Sequence, residues 1–159
     1  CEVTAGTPAC LPERVTACRL AAGHHYQTFD GRTFDVTGAC AYTLSQTFHE
    51  DPALPVFDVE VRNEPEGDLK VPGVGALVVR VYGVAVAAVK AENGLVRVNA
   101  HRSHLPVSLA DGKLRLRQQG RALLIQTDFG LKVLYDWADR VVLKLPAAFS
   151  GKIRGLCGN

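Results

Sequence analysis

The chain has 159 residues and a formal net charge of +2, and hydrophobic residues make up 47% of it. This length fits one domain with a sizeable core, and the apolar content excludes an intrinsically disordered chain. The near-neutral charge gives no indication of a nucleic-acid or anionic-membrane partner, and the longest apolar run, Gly83–Val89, is far shorter than the roughly 20 residues of a membrane-spanning helix.

The five cysteines are Cys1, Cys10, Cys18, Cys40 and Cys157. Their spacing matches neither a CxxC redox motif nor a zinc ribbon, so it favours disulfides formed in an oxidising compartment. Buried free thiols in a cytosolic protein are the alternative. If disulfides form, the odd count indicates that at least one cysteine has its partner outside this segment.

Residues 1–17 contain two cysteines and two prolines and show little alternation. We expect them to be a small cysteine-bridged tail of a preceding module, with Cys1 and Cys10 closing a local loop. No signal peptide is visible, so a chain that starts at Cys1 is expected to be a mature piece of a longer protein. The predicted domain therefore runs from residue 18 to residue 159.

The first predicted strands surround an acidic turn. Two β-prone runs, Tyr26–Phe29 and Arg32–Val36, flank Asp30 and Gly31. An Asp-Gly pair in this position favours a two-residue turn, because both residues take positive φ at low cost. A third strand follows after residue 38, which predicts an all-β nucleus.

The rest of the chain alternates between apolar strands and turns marked by glycine or asparagine. Phe57, Val59 and Val61 alternate with polar residues, which predicts a half-exposed strand over Val56–Asn63. The further predicted strands are Ala76–Tyr82, Val84–Lys90, Leu95–Asn99, Pro106–Leu109, Leu114–Gln118, Ala122–Thr127, Leu131–Asp136 and Arg140–Leu145, with a short helical turn over Pro146–Ser150. Strands at intervals of about 8–12 residues are typical of a sandwich or a barrel.

Two sets of charged residues are candidate sites. Lys113, Arg115 and Arg117 alternate along one predicted strand, and this basic stripe could meet sulfated or sialylated glycans. Asp58 and Glu60 also share a strand face and could suggest a carboxylate pair in an enzyme. In both cases a plain solvated strand face is the simpler interpretation. Nothing elsewhere in the sequence resembles a nucleophile elbow or a phosphate-binding loop.

Several motifs resemble those of the von Willebrand factor type D domain. They are Cys18, HY at 25–26, TFDG at 28–31, FD at 34–35, GAC at 38–40 and Tyr42. At the other end, Pro146–Asn159 is similar to the terminal GLCGN signature of that family. The resemblance spans residues 18–159 and implies an antiparallel two-sheet β-sandwich tied by a disulfide. Residues 1–17 look like the end of the trypsin-inhibitor-like or E module that precedes such domains.

The resemblance also implies roles for individual cysteines. It implies that Cys18 pairs with Cys157, which would tie the first strand to the last turn. Cys40 is implied to pair with a cysteine of a following cysteine-rich module, which would account for the odd count. The Asp-Pro bond at which some members of the family cleave themselves is missing before Tyr26, so that self-cleavage is not expected.

A calcium site is a further expectation from the resemblance. Asp30 and Asn159 match calcium ligands of the family, although by residue type alone Asp30 is a turn former. Calcium takes six to eight oxygen ligands, so two positions make an incomplete site. The family's calcium loop continues beyond Asn159, and we expect calcium in the full-length protein only.

The resemblance implies a secreted, non-enzymatic structural and adhesive module of a large multidomain glycoprotein of the mucus or extracellular-matrix type. Its expected partners are neighbouring cysteine-rich modules of the same chain and other extracellular glycoproteins, with no nucleic acid and no membrane span. The alternative is a ligand-binding domain that recognises glycans or an immunoglobulin through Lys113, Arg115 and Arg117. An extracellular hydrolase that uses Asp58 or Glu60 is the third hypothesis.

Overall fold

The structure is a computed structural model that describes residues 2–4, 7–9, 15–21, 25–36, 41–47, 55–63, 74–92, 94–149 and 152–158. In 2–4 and 7–9 only the backbone is described. Every regular element in these ranges is a strand or a turn of three residues. No helix within them is long and apolar enough to cross a bilayer.

The strands are short and follow one another closely. In chain order they are β1 (Glu2–Thr4), β2 (Thr7–Ala9), β3 (Val15–Ala21), β4 (His25–Gln27), β5 (Thr33–Asp35), β6 (Ala41–Thr47), β7 (Phe57–Asn63), β8 (Val74–Val81), β9 (Val84–Val89), β10 (Leu95–Val98), β11 (His101–His104), β12 (Val107–Leu109), β13 (Leu114–Gln119), β14 (Ala122–Thr127), β15 (Lys132–Tyr135), β16 (Val141–Pro146) and β17 (Ile153–Arg154). Single 3₁₀ turns cover Lys90–Glu92 and Ala147–Phe149, and the second confirms the helical turn predicted after β16.

The strands form two large sheets and one separate hairpin. Sheet 1 has the order β11-β10-β9-β8-β7-β6-β17, sheet 2 has the order β12-β13-β14-β15-β16-β3-β4-β5, and β1 pairs with β2 alone. Every pairing between described strands is antiparallel. After the β1–β2 hairpin, the chain enters sheet 2 at β3, crosses to sheet 1 at β6, returns to sheet 2 at β12 and crosses again to sheet 1 at β17. The all-β, two-sheet prediction is confirmed.

The core lies between the inner faces of the two sheets. Phe57, Val59 and Val61 of β7 are buried, and the polar residues between them point outward, so the predicted alternation is confirmed. The hydroxyl of Tyr135 on sheet 2 donates a hydrogen bond to the carbonyl of Val74 on sheet 1. Burial of these side chains is the main stabilising contribution, because each contributes about 1.5–3 kcal/mol relative to an exposed side chain.

Five strands differ from the sequence-based expectation. The β1–β2 hairpin lies in a segment without apolar alternation, and β17 has only two residues. The polar strand β11 follows a two-residue turn in which Asn99 and Ala100 have φ of 49° and 71°. Such a turn pairs its flanking strands through the backbone, so β11 needs no apolar pattern. Strand β3 begins at Val15 and crosses the boundary predicted after residue 17, which stays a prediction.

Candidate functional site

Asp30 lies in the turn that connects β4 to β5. The amide of Thr28 donates to the carbonyl of Arg32 at 2.8 Å, and the amide of Gly31 donates to the carbonyl of Thr28 at 3.1 Å. Three residues therefore make the loop, and among them Gly31 alone has positive φ, at 86°. The predicted two-residue turn with two positive φ values is wrong, because a type I turn that ends in a left-handed glycine also fits the twist of a hairpin.

The carboxylate of Asp30 is held in a fixed position within this turn. The hydroxyl of Thr28 donates to Oδ1 of Asp30, and the same hydroxyl accepts a hydrogen bond from the amide of Arg32 at 3.0 Å. Nε of Arg32 lies 3.7 Å from Oδ2 of Asp30. The bond from Thr28 is the largest cause that holds the pKa of Asp30 below its ordinary value, and Arg32 adds to it. The side chain of Asp30 is therefore an ionised, half-exposed carboxylate.

The closing segment Gly155–Gly158 packs against both sheets next to this turn. The amide of Cys157 donates to the carbonyl of Leu44 in β6 at 2.9 Å, and the carbonyl of Cys157 accepts from the amide of Phe29 in the turn at 3.0 Å. Gly155 has φ of 131°, and a Cβ added there would lie 2.4 Å from the Leu44 carbonyl oxygen. Gly155 is the first residue of the GLCGN motif, and nothing in the motif indicated that its backbone contacts β6.

A disulfide fixes the closing segment to the start of the domain. The sulfurs of Cys18 and Cys157 are 2.02 Å apart and the Cα atoms 5.6 Å apart, and the two residues are separated by 139 in sequence number. Both cysteines are buried in the core, so the predicted pair is confirmed. The predictions for Cys1, Cys10 and Cys40 fall outside the described residues.

Of the two predicted calcium ligands, Asp30 lies within the described residues. A Cβ added to Gly158 would lie 3.9 Å from Oδ1 of Asp30, so the chain reaches this carboxylate one position before Asn159. Asn159 lies outside the described residues. In the part that is described, no group of three or more His, Cys, Asp or Glu side chains could hold a metal. Calcium takes six to eight oxygen ligands, and the assignment of Asp30 and Asn159 to such a site stays a prediction.

The predicted basic stripe is divided between a strand and a turn. Arg115 and Arg117 are exposed on the outer face of β13, whereas Leu114 and Leu116, which alternate with them, are buried. Lys113 lies just before the strand, and its Nζ is 6.0 Å from the centre of the Tyr82 ring, at the limit of a cation–π contact. Lys113 lies outside the strand because the preceding residues, Ala110–Gly112, form a left-handed turn in which all three residues have positive φ.

Asp58 and Glu60 lie on the outer face of sheet 1, as the alternation predicted, and they share one cation. Nη1 of Arg80 on the neighbouring strand β8 lies 3.2 Å from Oδ2 of Asp58 and 3.0 Å from Oε1 of Glu60. Desolvation raises the pKa of Asp58, the nearby Glu60 raises it further, and Arg80 opposes both. The sequence did not indicate Arg80, because only the strand register places it between the two carboxylates.

Lys132 and Lys144 are a second pair that the sequence analysis did not single out. They face each other directly across β15 and β16, on the outer face of sheet 2. Alternation along each strand could have placed both side chains outward. The antiparallel register alone brings them together, and it cannot be read from one strand at a time.

The fold, the disulfide and the closing turn can now be compared with known proteins. The family model of the von Willebrand factor type D (VWD) domain matches residues 18–159. The chain belongs to the VWD family. Over its whole length this VWD domain is 43% identical to part of the IgGFc-binding protein of Homo sapiens, of which it covers 3%.

Two further relatives are also much longer than this chain. The VWD domain is 36% identical over 150 residues to alpha-tectorin of Mus musculus, with 94% of this chain and 7% of that protein covered. It is 32% identical over 160 residues to zonadhesin of Homo sapiens, with 100% of this chain and 6% of that protein covered. The chain therefore spans only a small part of the curated relatives that it matches.

Proposed function

We propose that this VWD domain is a non-catalytic structural and adhesive module of a large secreted glycoprotein of the mucus or extracellular-matrix type. The observation that carries this proposal is the Cys18–Cys157 disulfide, which is buried in the core and ties β3 to the closing segment. Such a bond persists in an oxidising compartment, which supports secretion. The much longer relatives support the further statement that the domain works beside other modules.

The charged residues of the domain support a non-catalytic role. Asp58 and Glu60, the carboxylate pair considered for catalysis, share the guanidinium of Arg80 on the outer face of a sheet. A general acid or base needs a pKa near the working pH and a geometry that holds a substrate against it. The Arg80 guanidinium instead forms salt bridges with both carboxylates and offsets part of their negative charge, so we assign them to the stability of sheet 1.

Covalent assembly through Cys40 is the part of the proposal that can be tested most directly. In the full-length secreted protein, we expect peptide mapping without reduction to find Cys18 linked to Cys157 and Cys40 linked to a cysteine outside residues 1–159. A Cys40→Ser variant should retain the first link and lose the second. A bond from Cys40 to Cys1 or Cys10 would contradict assembly through this residue.

We also propose that Asp30 supplies one ligand of a calcium site that is completed by Asn159 and by residues beyond this chain. The support is the ordered carboxylate next to Gly158, one position before Asn159. In the full-length protein, calorimetric titration with calcium should show a site that Asp30→Asn weakens and that the exposed control Asp111→Asn leaves unchanged. Equal calcium binding in wild type and Asp30→Asn would remove Asp30 from the site.

Immunoglobulin binding is the second candidate function, because the domain is 43% identical to part of a protein named for binding IgG Fc. The exposed Arg115 and Arg117 are the candidate contacts. Surface plasmon resonance with immobilised Fc should detect binding that Arg115→Glu with Arg117→Glu abolishes. The control is Arg62→Glu with Arg154→Glu on the other sheet, and no binding to Fc by the wild type would reject this function.

A further inference from the structure

The outer faces of the two sheets differ in how their basic residues are neutralised. On sheet 1, Arg80 bridges two carboxylates, as described above. Glu92 binds Arg97 at 2.6 Å and Arg102 at 2.9 Å. Three guanidinium groups of sheet 1 therefore have carboxylate partners within the protein.

The outer face of sheet 2 carries basic residues without such partners. We call five of these residues the basic face: Arg19, Arg115, Arg117, Lys132 and Lys144. Within the described residues, none of the five forms an ion pair, and Arg115 only donates from Nε to the carbonyl of Gly112 at 3.2 Å. The described acid on the outer face of these strands is Asp35 at the sheet edge, where His25 binds it at 2.6 Å.

One row of the basic face crosses four strands. The register pairs Arg115 with Gln126, Gln126 with Lys132, and Lys132 with Lys144. Neighbouring strands lie about 4.8 Å apart, so about 14 Å separates the backbones of Arg115 and Lys144. The two lysines line a depression of about 330 Å³ together with Val15, Gly130 and Pro146.

The opposed lysines are unfavourable for the folded domain alone. Like charges directly opposite each other on neighbouring antiparallel strands are destabilising, because their Cβ atoms are only about 4.5–5.5 Å apart. No described carboxylate relieves the repulsion between Lys132 and Lys144. An external anion placed across the pair would do so.

A second row, parallel to the first, ends in arginines. Arg117 pairs with Leu124, Leu124 with Leu134, Leu134 with Val142, and Val142 with Arg19. The backbones of Arg117 and Arg19 are therefore four strand spacings apart, or about 19 Å. The positive charge is therefore spread over a flat surface with a narrow aliphatic row inside it, and it is not concentrated in one pocket.

We propose that the basic face binds a linear sulfated polysaccharide, with sulfate groups bridging Lys132 and Lys144 and further sulfates contacting Arg115, Arg117 and Arg19. Lysine acts as a compact point charge and suits isolated sulfate groups, whereas arginine adds paired hydrogen bonds. The outward side chains of the described sheet 2 strands include no Phe, Tyr or Trp on which nucleic-acid bases could stack.

This inference goes beyond assembly through cysteines, and it would survive if Cys40 had no external partner. It also differs from the immunoglobulin hypothesis, because Lys132 and Lys144 are assigned to the polysaccharide site only. Because the binding is electrostatic, it should weaken steeply as salt is raised, since the screening length shortens from about 14 Å to about 6 Å between roughly 50 and 300 mM salt.

The test uses this chain and immobilised heparin as the sulfated probe, with affinities from surface plasmon resonance. We expect Lys132→Gln with Lys144→Gln to weaken binding about tenfold, and Arg115→Gln with Arg117→Gln to do the same, since each exposed contact contributes up to about fivefold. The matched control, Arg62→Gln with Arg154→Gln, removes the same charge from sheet 1 and should change the Kd by less than about twofold. Desulfated heparin should not bind.

Three results would overturn the proposal. They are an equal loss in the sheet 1 control, wild-type binding in Lys132→Gln with Lys144→Gln, and equally tight binding of desulfated heparin. Competition by duplex DNA or by an acidic protein at equal charge would reject the polysaccharide as the preferred partner. Thermal unfolding separates binding from folding, because removing the Lys132–Lys144 repulsion should leave the unfolding temperature equal to or above that of the wild type.

Discussion

At the scale of single residues, Asp30 in the turn between β4 and β5 and Tyr26 in β4 have shifted pKa values. The hydrogen bond from Thr28 lowers the pKa of Asp30 and so favours its ionised form. Tyr26 on β4 is fully buried and stacks on Phe34, with the ring centres 5.2 Å apart. Burial raises the pKa of Tyr26 to about 12, the neighbouring Tyr42 adds to the rise, and a hydrogen bond with Asn63 opposes it.

Tyr26 predicts a loss of stability at alkaline pH. Its pKa is raised above the ordinary value of 10.0, so from pH 10 to about 12 the unfolded tyrosine releases a proton that the folded one retains. The contribution of Tyr26 is complete below pH 10 and falls as pH rises through this window, by at most about 1.4 kcal/mol per pH unit. Urea unfolding of wild type and Tyr26→Phe between pH 9 and 11 should show a smaller dependence on pH in the variant. Parallel profiles would contradict this.

At the scale of elements, alternation predicted the strands whose faces differ in polarity, as in β7 and β13. It did not predict β11, which is held by turn geometry, nor the contact between Gly155 and β6. Close approach of two backbones leaves no apolar pattern, so only the glycine itself signals it. The signal is weak in a chain with 15 glycines.

The contact at Gly155 predicts a severe effect of one added methyl group. Gly155→Ala would place Cβ 2.4 Å from the Leu44 carbonyl oxygen, and φ there is 131°. We expect a loss of about 3 kcal/mol in the free energy of unfolding, from the clash and the backbone strain together. Urea denaturation measures it.

Gly120→Ala is the matched control for this substitution. Gly120 also has positive φ, at 59°, but a Cβ there would meet nothing within 4 Å. The loss in the free energy of unfolding for Gly120→Ala should come from backbone strain alone, about 1 kcal/mol. Equal losses for the two alanines would show that the approach to β6 contributes nothing.

At the scale of the whole molecule, the Cys18–Cys157 disulfide joins β3 of sheet 2 to a segment whose amides bind β6 of sheet 1. The disulfide and the hydrogen bond from the Phe29 amide both involve Cys157. This one residue therefore connects both sheets and the turn that contains Asp30. Loosening this connection should affect the domain globally, because β3 and β6 each pair with a strand on both sides within their sheets.

Removing the disulfide should destabilise the domain strongly. The bond closes a loop with a sequence separation of 139. Chain entropy alone assigns about 5 kcal/mol to a loop of this length, and native disulfides of small secreted domains typically contribute about 2–5 kcal/mol. We expect Cys18→Ala with Cys157→Ala to lose about 3–5 kcal/mol in urea unfolding. Cys40→Ala is the control that leaves the bond intact, and a loss no larger than in this control would reject the assigned role.

The sequence by itself determined the all-β class and most strand positions, because alternation is a local signal. The Cys18–Cys157 pair was implied only by the resemblance of the motifs around it to a known family, since the cysteine spacing leaves the pairing open. The tertiary structure alone decided which side chains meet across strands. Arg80 between Asp58 and Glu60, and Lys132 opposite Lys144, depend on register, and a shift by one residue would turn each side chain to the other face. Register is set by the packing of the whole core, and no single stretch of the chain contains it.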